Sequence, residues 1–227
     1  MSNSNSNNDP ETLRDRKISP LLNSFPNSLF KHHNKFGMEI AQESHQKISS
    51  SNTIFDISHL PTFTLAGLDS TRLITENFNC GVPELFSCKN IGREGKIGKI
   101  SSNQFLIVDS LDGQFTSSLE QIGTDYENRT ICLRTDLAEI ALVGDISRVV
   151  LEELTGLNSE IIKTGDFLPT EVGSAAGLVI PINSSGKHLR MLFECSDANY
   201  IFSAIEKINN RLKGNKEGAQ AYLEIFS

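Results

Sequence analysis

One stretch of this chain is used twice. Thr53-Ile-Phe-Asp-Ile-Ser-His-Leu-Pro-Thr-Phe-Thr-Leu-Ala-Gly-Leu-Asp-Ser-Thr-Arg-Leu-Ile74 reads as an alternating apolar run, a glycine, and an amphipathic helix opening with polar residues. A looser echo follows 77 residues later in Leu137-Ala-Glu-Ile-Ala-Leu-Val-Gly-Asp-Ile-Ser-Arg-Val-Val-Leu151. Placing Gly67 on Gly144 also pairs Leu65 with Leu142, Ser70 with Ser147 and Ile74 with Leu151. A unit used twice predicts a domain built as a pseudo-twofold pair.

Each unit reads as strand, helix, strand, strand, helix. In the first, Phe55, Ile57, Phe63 and Leu65 alternate as a single half-buried strand does, and Gly67 ends it. Asp69 or Ser70 caps a helix to Phe78, Gly95–Ser101 and Gln104–Val108 pair as strands, and Ser117–Ile122 makes a short helix. In the second, Thr130–Arg134 and Glu139–Val143 are strands and Ser147–Leu154 a helix. Strands Ala176–Ile182 and Leu189–Cys195 follow, then a long helix, Ala198–Leu212, capped by Ser196 and Asp197. Tyr200, Ile201, Ala204, Ile205 and Ile208 form its apolar face. Helices covering mainly antiparallel sheets define an α+β class.

The expected divisions are an N-terminal arm over 1–35, a first half over 36–125, a second over 126–213 and a tail over 214–227. The arm is rich in Ser, Asn and Pro and is expected to be disordered or to dock on a partner through Ile18-Ser-Pro-Leu-Leu22. Ala221–Phe226 of the tail is apolar enough to dock.

A net charge of −7 without a basic stripe argues against nucleic acid as a partner. The longest apolar runs fall short of the roughly 18–20 residues that span a bilayer. Residues 1–10 carry neither the basic nor the apolar region of a secretory signal, so a cytoplasmic protein is expected. Cys80, Cys88, Cys132 and Cys195 have no C-x-x-C spacing and read as reduced thiols, several of them buried. His32, His33 and His45 lack the Cys or carboxylate that would complete a metal set.

No dinucleotide fingerprint, nucleophile elbow or H-E-x-x-H pair is present. Gly92-Arg-Glu-Gly-Lys-Ile-Gly-Lys99 has the wrong glycine spacing for a phosphate loop and reads as a hairpin. Asp56, Ser58 and His59 crowd together, yet on a strand His59 points away from the other two, which favours a structural role. Arg190 and Glu194 share a strand face, as an internal ion pair or a ligand contact.

These residues resemble a known family. Phe55-Asp-Ile-Ser-His-Leu60 with Phe63-Thr-Leu-Ala-Gly-Leu-Asp-Ser70 is similar to the opening of the glycine cleavage T-protein (aminomethyltransferase) superfamily, and within it to the sarcosine oxidase gamma subunit family. Asn79-Cys-Gly-Val-Pro-Glu84, Ser101-Ser-Asn-Gln-Phe-Leu-Ile-Val108, Arg134–Gly144, Gly165-Asp-Phe-Leu-Pro-Thr170 and Phe193-Glu-Cys-Ser-Asp-Ala-Asn-Tyr200 continue the likeness in order, over about 50–212.

The resemblance implies two related halves meeting around a central hole, which takes tetrahydrofolate in the T-protein. Lys99 and Ile100 stand where the family places its acidic pair, and no residues remain for its C-terminal barrel. No catalytic or metal-ligating residue is therefore assigned to this chain. What the resemblance implies is a non-catalytic subunit of a sarcosine oxidase-like complex that demethylates sarcosine oxidatively to glycine and passes the one-carbon unit to tetrahydrofolate. Its partners would be an alpha-like flavoprotein with beta and delta chains, which hold FAD, FMN and NAD. The alternatives are a small folate-dependent enzyme and a stand-alone interaction module. In the former, Phe193 or Tyr200 would stack on the pterin and Glu194 would anchor it.

Overall fold

The computed structural model describes residues 17–25, 30–35, 38–44, 51–119, 122 and 128–226. The first repeat comprises β4 (Thr53–Asp56), β5 (Thr62–Ala66), α1 (Ser70–Asn77), β6 (Cys88–Ile91), β7 (Gly95–Ser101), β8 (Gln104–Val108) and α2 (Gln114–Leu119). The second comprises β9 (Thr130–Arg134), β10 (Leu137–Val143), α3 (Asp145–Val150), β11 (Leu168–Val172), β12 (Ala175–Pro181), β13 (His188–Glu194) and α4 (Ala198–Arg211). Before them lie β1 (Lys17–Ile18), β2 (Phe30–Lys35) and β3 (Met38–Ser44); after them come β14 (Asn215–Glu217) and α5 (Ala219–Ile225).

The strand orders are β6-β7-β8-β5-β9 and β11-β12-β13-β10-β4-β14. Moving each element of one repeat onto its counterpart converts the first order into the second, with β14 added. The register matches as well. Phe63 lies opposite Leu133 as Ile140 lies opposite Asp56, and Ala66 opposite Thr130 as Val143 opposite Thr53. The 77-residue offset of the sequence is thus an offset of pairing.

Each repeat lends its first strand to the other sheet: β4 pairs with β10, and β9 with β5. The single strand expected from Phe55 to Leu65 is therefore two strands in different sheets. Ile57–Pro61 makes the crossing, and Leu60 N donates to Ile57 O at 3.0 Å to close its turn. Both sites of passage end in a glycine with positive φ, Gly67 at 116° and Gly144 at 100°. A Cβ would lie 2.1 Å from Asn128 O at the first and 1.9 Å from Ser51 O at the second, so both positions demand glycine.

Helices cover the outer face of each sheet. Against the six-stranded sheet, Ile146 and Val150 of α3 and Ile201, Phe202 and Ile205 of α4 pack on Ile140, Leu142, Met191 and Phe193. The apolar face of α4 thus includes Phe202, while Tyr200 is 59% exposed. Against the other sheet, Leu73 and Ile74 of α1 and Phe115 of α2 pack on Leu65, Ile97 and Phe105. Neither Asp69 nor Asp197 caps its helix through its side chain; Asp69 Oδ2 accepts from Asn128 N at 3.0 Å instead.

In the stretch 1–35, expected to be disordered or to dock on a partner, several of the described residues pack into the core. Leu21, Phe25 and Phe30 are buried in the same core as α4, with Phe25 and Phe30 edge-to-face at 5.0 Å. Burying these side chains contributes roughly 1.5–3 kcal/mol each towards the ordering of this polar segment. Residues 1–16 lie outside the described residues. The C-terminal segment docks as its apolar content predicts: β14 runs parallel to β4, and Tyr222 of α5 is fully buried. Among the described residues, no helix is long and apolar enough to cross a membrane.

Candidate functional site

Among the described residues, the inner faces of the two sheets meet in a layer packed with apolar side chains. Leu106 and Val108 of β8 face Leu178 and Ile180 of β12 and Leu192 of β13, with Phe167 among them. Gly98 makes room for this packing: a Cβ there would sit 2.3 Å from the Phe167 ring. Strand parity decides the rest. On β13, Leu189, Met191 and Phe193 face the helices, so His188, Arg190, Leu192 and Glu194 turn inward.

Beside the apolar plug lies a buried polar cluster. Arg190 Nε donates to Glu139 Oε1 at 2.5 Å, and both side chains are nearly inaccessible, at 0% and 3%. Arg190 Nη1 donates to the Glu94 carbonyl at 2.7 Å, reaching across to the β6–β7 hairpin of the other half. Lys96 Nζ donates to Asn90 Oδ1 at 2.5 Å within that hairpin. His188 Nε2 is 3.1 Å from the Tyr222 hydroxyl, and Phe226 stacks on the imidazole at 4.2 Å, so α5 closes the cluster from one side.

Burial sets the ionisation here. It pushes the carboxyl of Glu139 up against the opposing pull of Arg190, and that of Glu94 up against Lys96 and Arg190. It pulls the Lys96 ammonium down. Burial, reinforced by Arg190 and Lys96, brings His188 down to about 3, so the imidazole is neutral near pH 7. Burial also raises the Tyr222 phenol. A guanidinium tied to a carboxylate and a neutral imidazole under an aromatic lid form a structural lock between halves.

Asp56 and Ser58 make structural hydrogen bonds at a turn. Asp56 accepts from the Ser19 hydroxyl and, at 3.1 Å, from Ser58 N, while Ser58 Oγ donates to the Glu139 carbonyl at 3.2 Å. Burial raises the Asp56 carboxyl.

Of the three residues expected to hold a folate-like ligand, Phe193 and Glu194 border one cavity and Tyr200 stands apart from it. Phe193 is 1% exposed, and its ring packs in the core with α3 and α4. Tyr200 stands on the outer side, its hydroxyl donating to Gly173 O at 2.7 Å. Phe193 and Glu194 both line a cavity of about 220 Å³, with Ile100, Leu106, Arg134 and Leu178. Arg190 does not pair with Glu194; its partner is Glu139, on the neighbouring strand. The signal was available in Glu139 itself, a carboxylate inside the apolar run Leu137–Val143. A second cavity, about 260 Å³, lies at the strand crossing, among Ser58, His59, Leu60, Phe63, Leu133 and Glu139.

Two facing sheets built from repeats that exchange their first strands, with helices outside, define the fold of the glycine cleavage T-protein type. Among solved structures, the glycine cleavage system aminomethyltransferase T from Bartonella henselae is similar over 91% of this chain and 60% of that one, with a TM-score of 0.67 and 13% identity. A chain of the heterotetrameric sarcosine oxidase from Corynebacterium sp. U-96 is similar over 85% of this chain and 94% of that one, with a TM-score of 0.58 and 10% identity. The present chain thus spans under two thirds of the aminomethyltransferase. At these identities the likeness is one of fold. No protein-family model and no curated protein matches the sequence.

Proposed function

We propose that this chain is a non-catalytic subunit of a sarcosine oxidase-like complex, comparable to its gamma subunit. The observation that carries the reading is the filled layer between the sheets. Leu106, Phe167, Leu178, Ile180 and Leu192 plug it, and Arg190 and Glu139 lock it. The cavities beside Glu194 and His59 measure about 220 and 260 Å³, and a third among Glu84, Cys88, Lys163 and Asp166 about 370 Å³, at or below the lower end of the roughly 300–1,000 Å³ of pockets for drug-sized ligands. The likeness covers 94% of one chain of a heterotetrameric sarcosine oxidase, which agrees with a subunit role. In this reading the complex demethylates sarcosine to glycine and transfers the one-carbon unit to tetrahydrofolate. FAD, FMN and NAD belong to the alpha-like flavoprotein and the beta and delta chains.

One observation favours the folate-binding alternative: Glu194 stands on a cavity wall with Arg134 nearby. Calorimetric titration of the chain with tetrahydrofolate tests it. The subunit reading is tested by co-expressing the chain with the flavin-binding large chain of a heterotetrameric sarcosine oxidase. Co-elution in fixed stoichiometry with flavin absorbance is the expected result; separate elution would overturn it.

A further inference from the structure

The two large sheets have four outer edges, and three are protected. β11 carries Pro169 and Glu171, β6 carries Lys89, and β14 is only three residues long with Lys216 and Glu217. Such residues are the usual means of keeping other strands from adding to an edge. The fourth edge is β9, Thr130-Ile-Cys-Leu-Arg134, which has no proline, lysine or carboxylate. Its Arg134 is held in a bidentate pair with Asp136, both bonds 2.8 Å. Leu133 is 48% exposed. Among the described residues, β9 pairs with β5 alone.

The repeat shows what such an edge accepts. β4 is the counterpart of β9, and its outer edge carries β14 in parallel, with Asn215 opposite Thr53, Lys216 opposite Ile54 and Glu217 opposite Phe55. The equivalent positions on β9 are Thr130, Ile131 and Cys132. A groove lies beside that edge: the 260 Å³ cavity is walled by Leu133, Phe63, Leu60, Pro61 and Met38. A strand added to β9 places alternate side chains beside Leu133, over this cavity.

We infer that the outer edge of β9 is a docking site for an extended segment of a different polypeptide, added parallel to β9 with an aliphatic side chain seated beside Leu133. Main-chain hydrogen bonds supply the affinity and the groove the preference for an aliphatic residue. A second copy of this chain fits less well. Two β9 edges related by a twofold axis run antiparallel, unlike β14 on β4, and each copy carries a net charge of −7. The inference rests on the fold's internal repeat rather than on the subunit reading, and either can fail without the other.

The test uses the full chain and a fluorescein-labelled peptide of alternating Thr and Val with a central Leu, followed by anisotropy and by hydrogen exchange. The expected result is saturable binding that slows exchange at residues 130–134. Leu133→Lys, Thr130→Lys and replacement of the peptide's Leu by Asn should each weaken it by about tenfold or more. Thr130 and Leu133 are exposed, and thermal melts check that the variants fold; Thr130→Lys carries the test if Leu133→Lys does not fold. Absence of binding, equal binding by the folded variants, or protection elsewhere would overturn the inference. So would a dimer of the chain alone that protects 130–134 and is lost in Leu133→Lys.

Discussion

Arg190 Nε and Glu139 Oε1 stand 2.5 Å apart on adjacent strands, in a layer closed to solvent, and the same guanidinium reaches the Glu94 carbonyl of the other half. Removing one partner leaves a buried charge unpaired. Glu139→Leu alone should cost about 3–5 kcal/mol in urea unfolding, whereas Glu139→Leu with Arg190→Met should recover most of that. Equal losses in the single and double variants would show that the pair is not acting as a unit.

His188 gives stability a pH dependence of known sign. Its folded pKa is about 3 against an ordinary 6.5, so the folded state resists protonation. The contribution is present above pH 6.5 and lost as pH falls towards 3, on the order of a few kcal/mol. The carboxyls of Asp56, Glu94 and Glu139 are raised and act in the opposite sense: their contributions are present at low pH and fade as pH rises through their folded values. The difference between the pH–stability curves of the native chain and His188→Gln therefore isolates the imidazole. That difference should shrink on acidification below pH 6.5.

Gly67 and Gly144 hold equivalent places in the repeat, each with positive φ and a backbone oxygen where a Cβ would go. Gly67→Ala and Gly144→Ala should each destabilise by roughly 3 kcal/mol or more, from strain plus overlap. Thermal or urea unfolding checks this, and a mild effect at either position would break the equivalence.

Phe25 is fully buried, 5.5 Å from the Phe202 ring at a tilt of 55°. Phe25→Ala should cost about 3–5 kcal/mol in equilibrium unfolding. A loose arm would give a change near zero.

Much of this architecture is readable from the chain. Gly67 and Gly144, Ser70 and Ser147 recur at one spacing, and they do the same work: Ser70 N donates to Gly67 O and Ser147 N to Gly144 O, both at 3.2 Å. The exchange of first strands is not readable. The alternation of Phe55, Ile57, Phe63 and Leu65 continues through the crossing, and local periodicity carries no information on which sheet a strand joins. The partner of Arg190 was missed for the same reason, because β10 and β13 are paired across a long stretch of chain. Phe193 and Glu194 are neighbours on one strand and must face opposite sides, a constraint the sequence already imposed. Leu21 and Phe25 were obscured by the polar residues around them.

The central claim is that the space between the halves is occupied by the protein itself. Isothermal calorimetry of the purified chain with tetrahydrofolate tests it most directly. The account predicts no saturable heat, unchanged in Glu194→Ala. Micromolar binding that Glu194→Ala abolishes would contradict it.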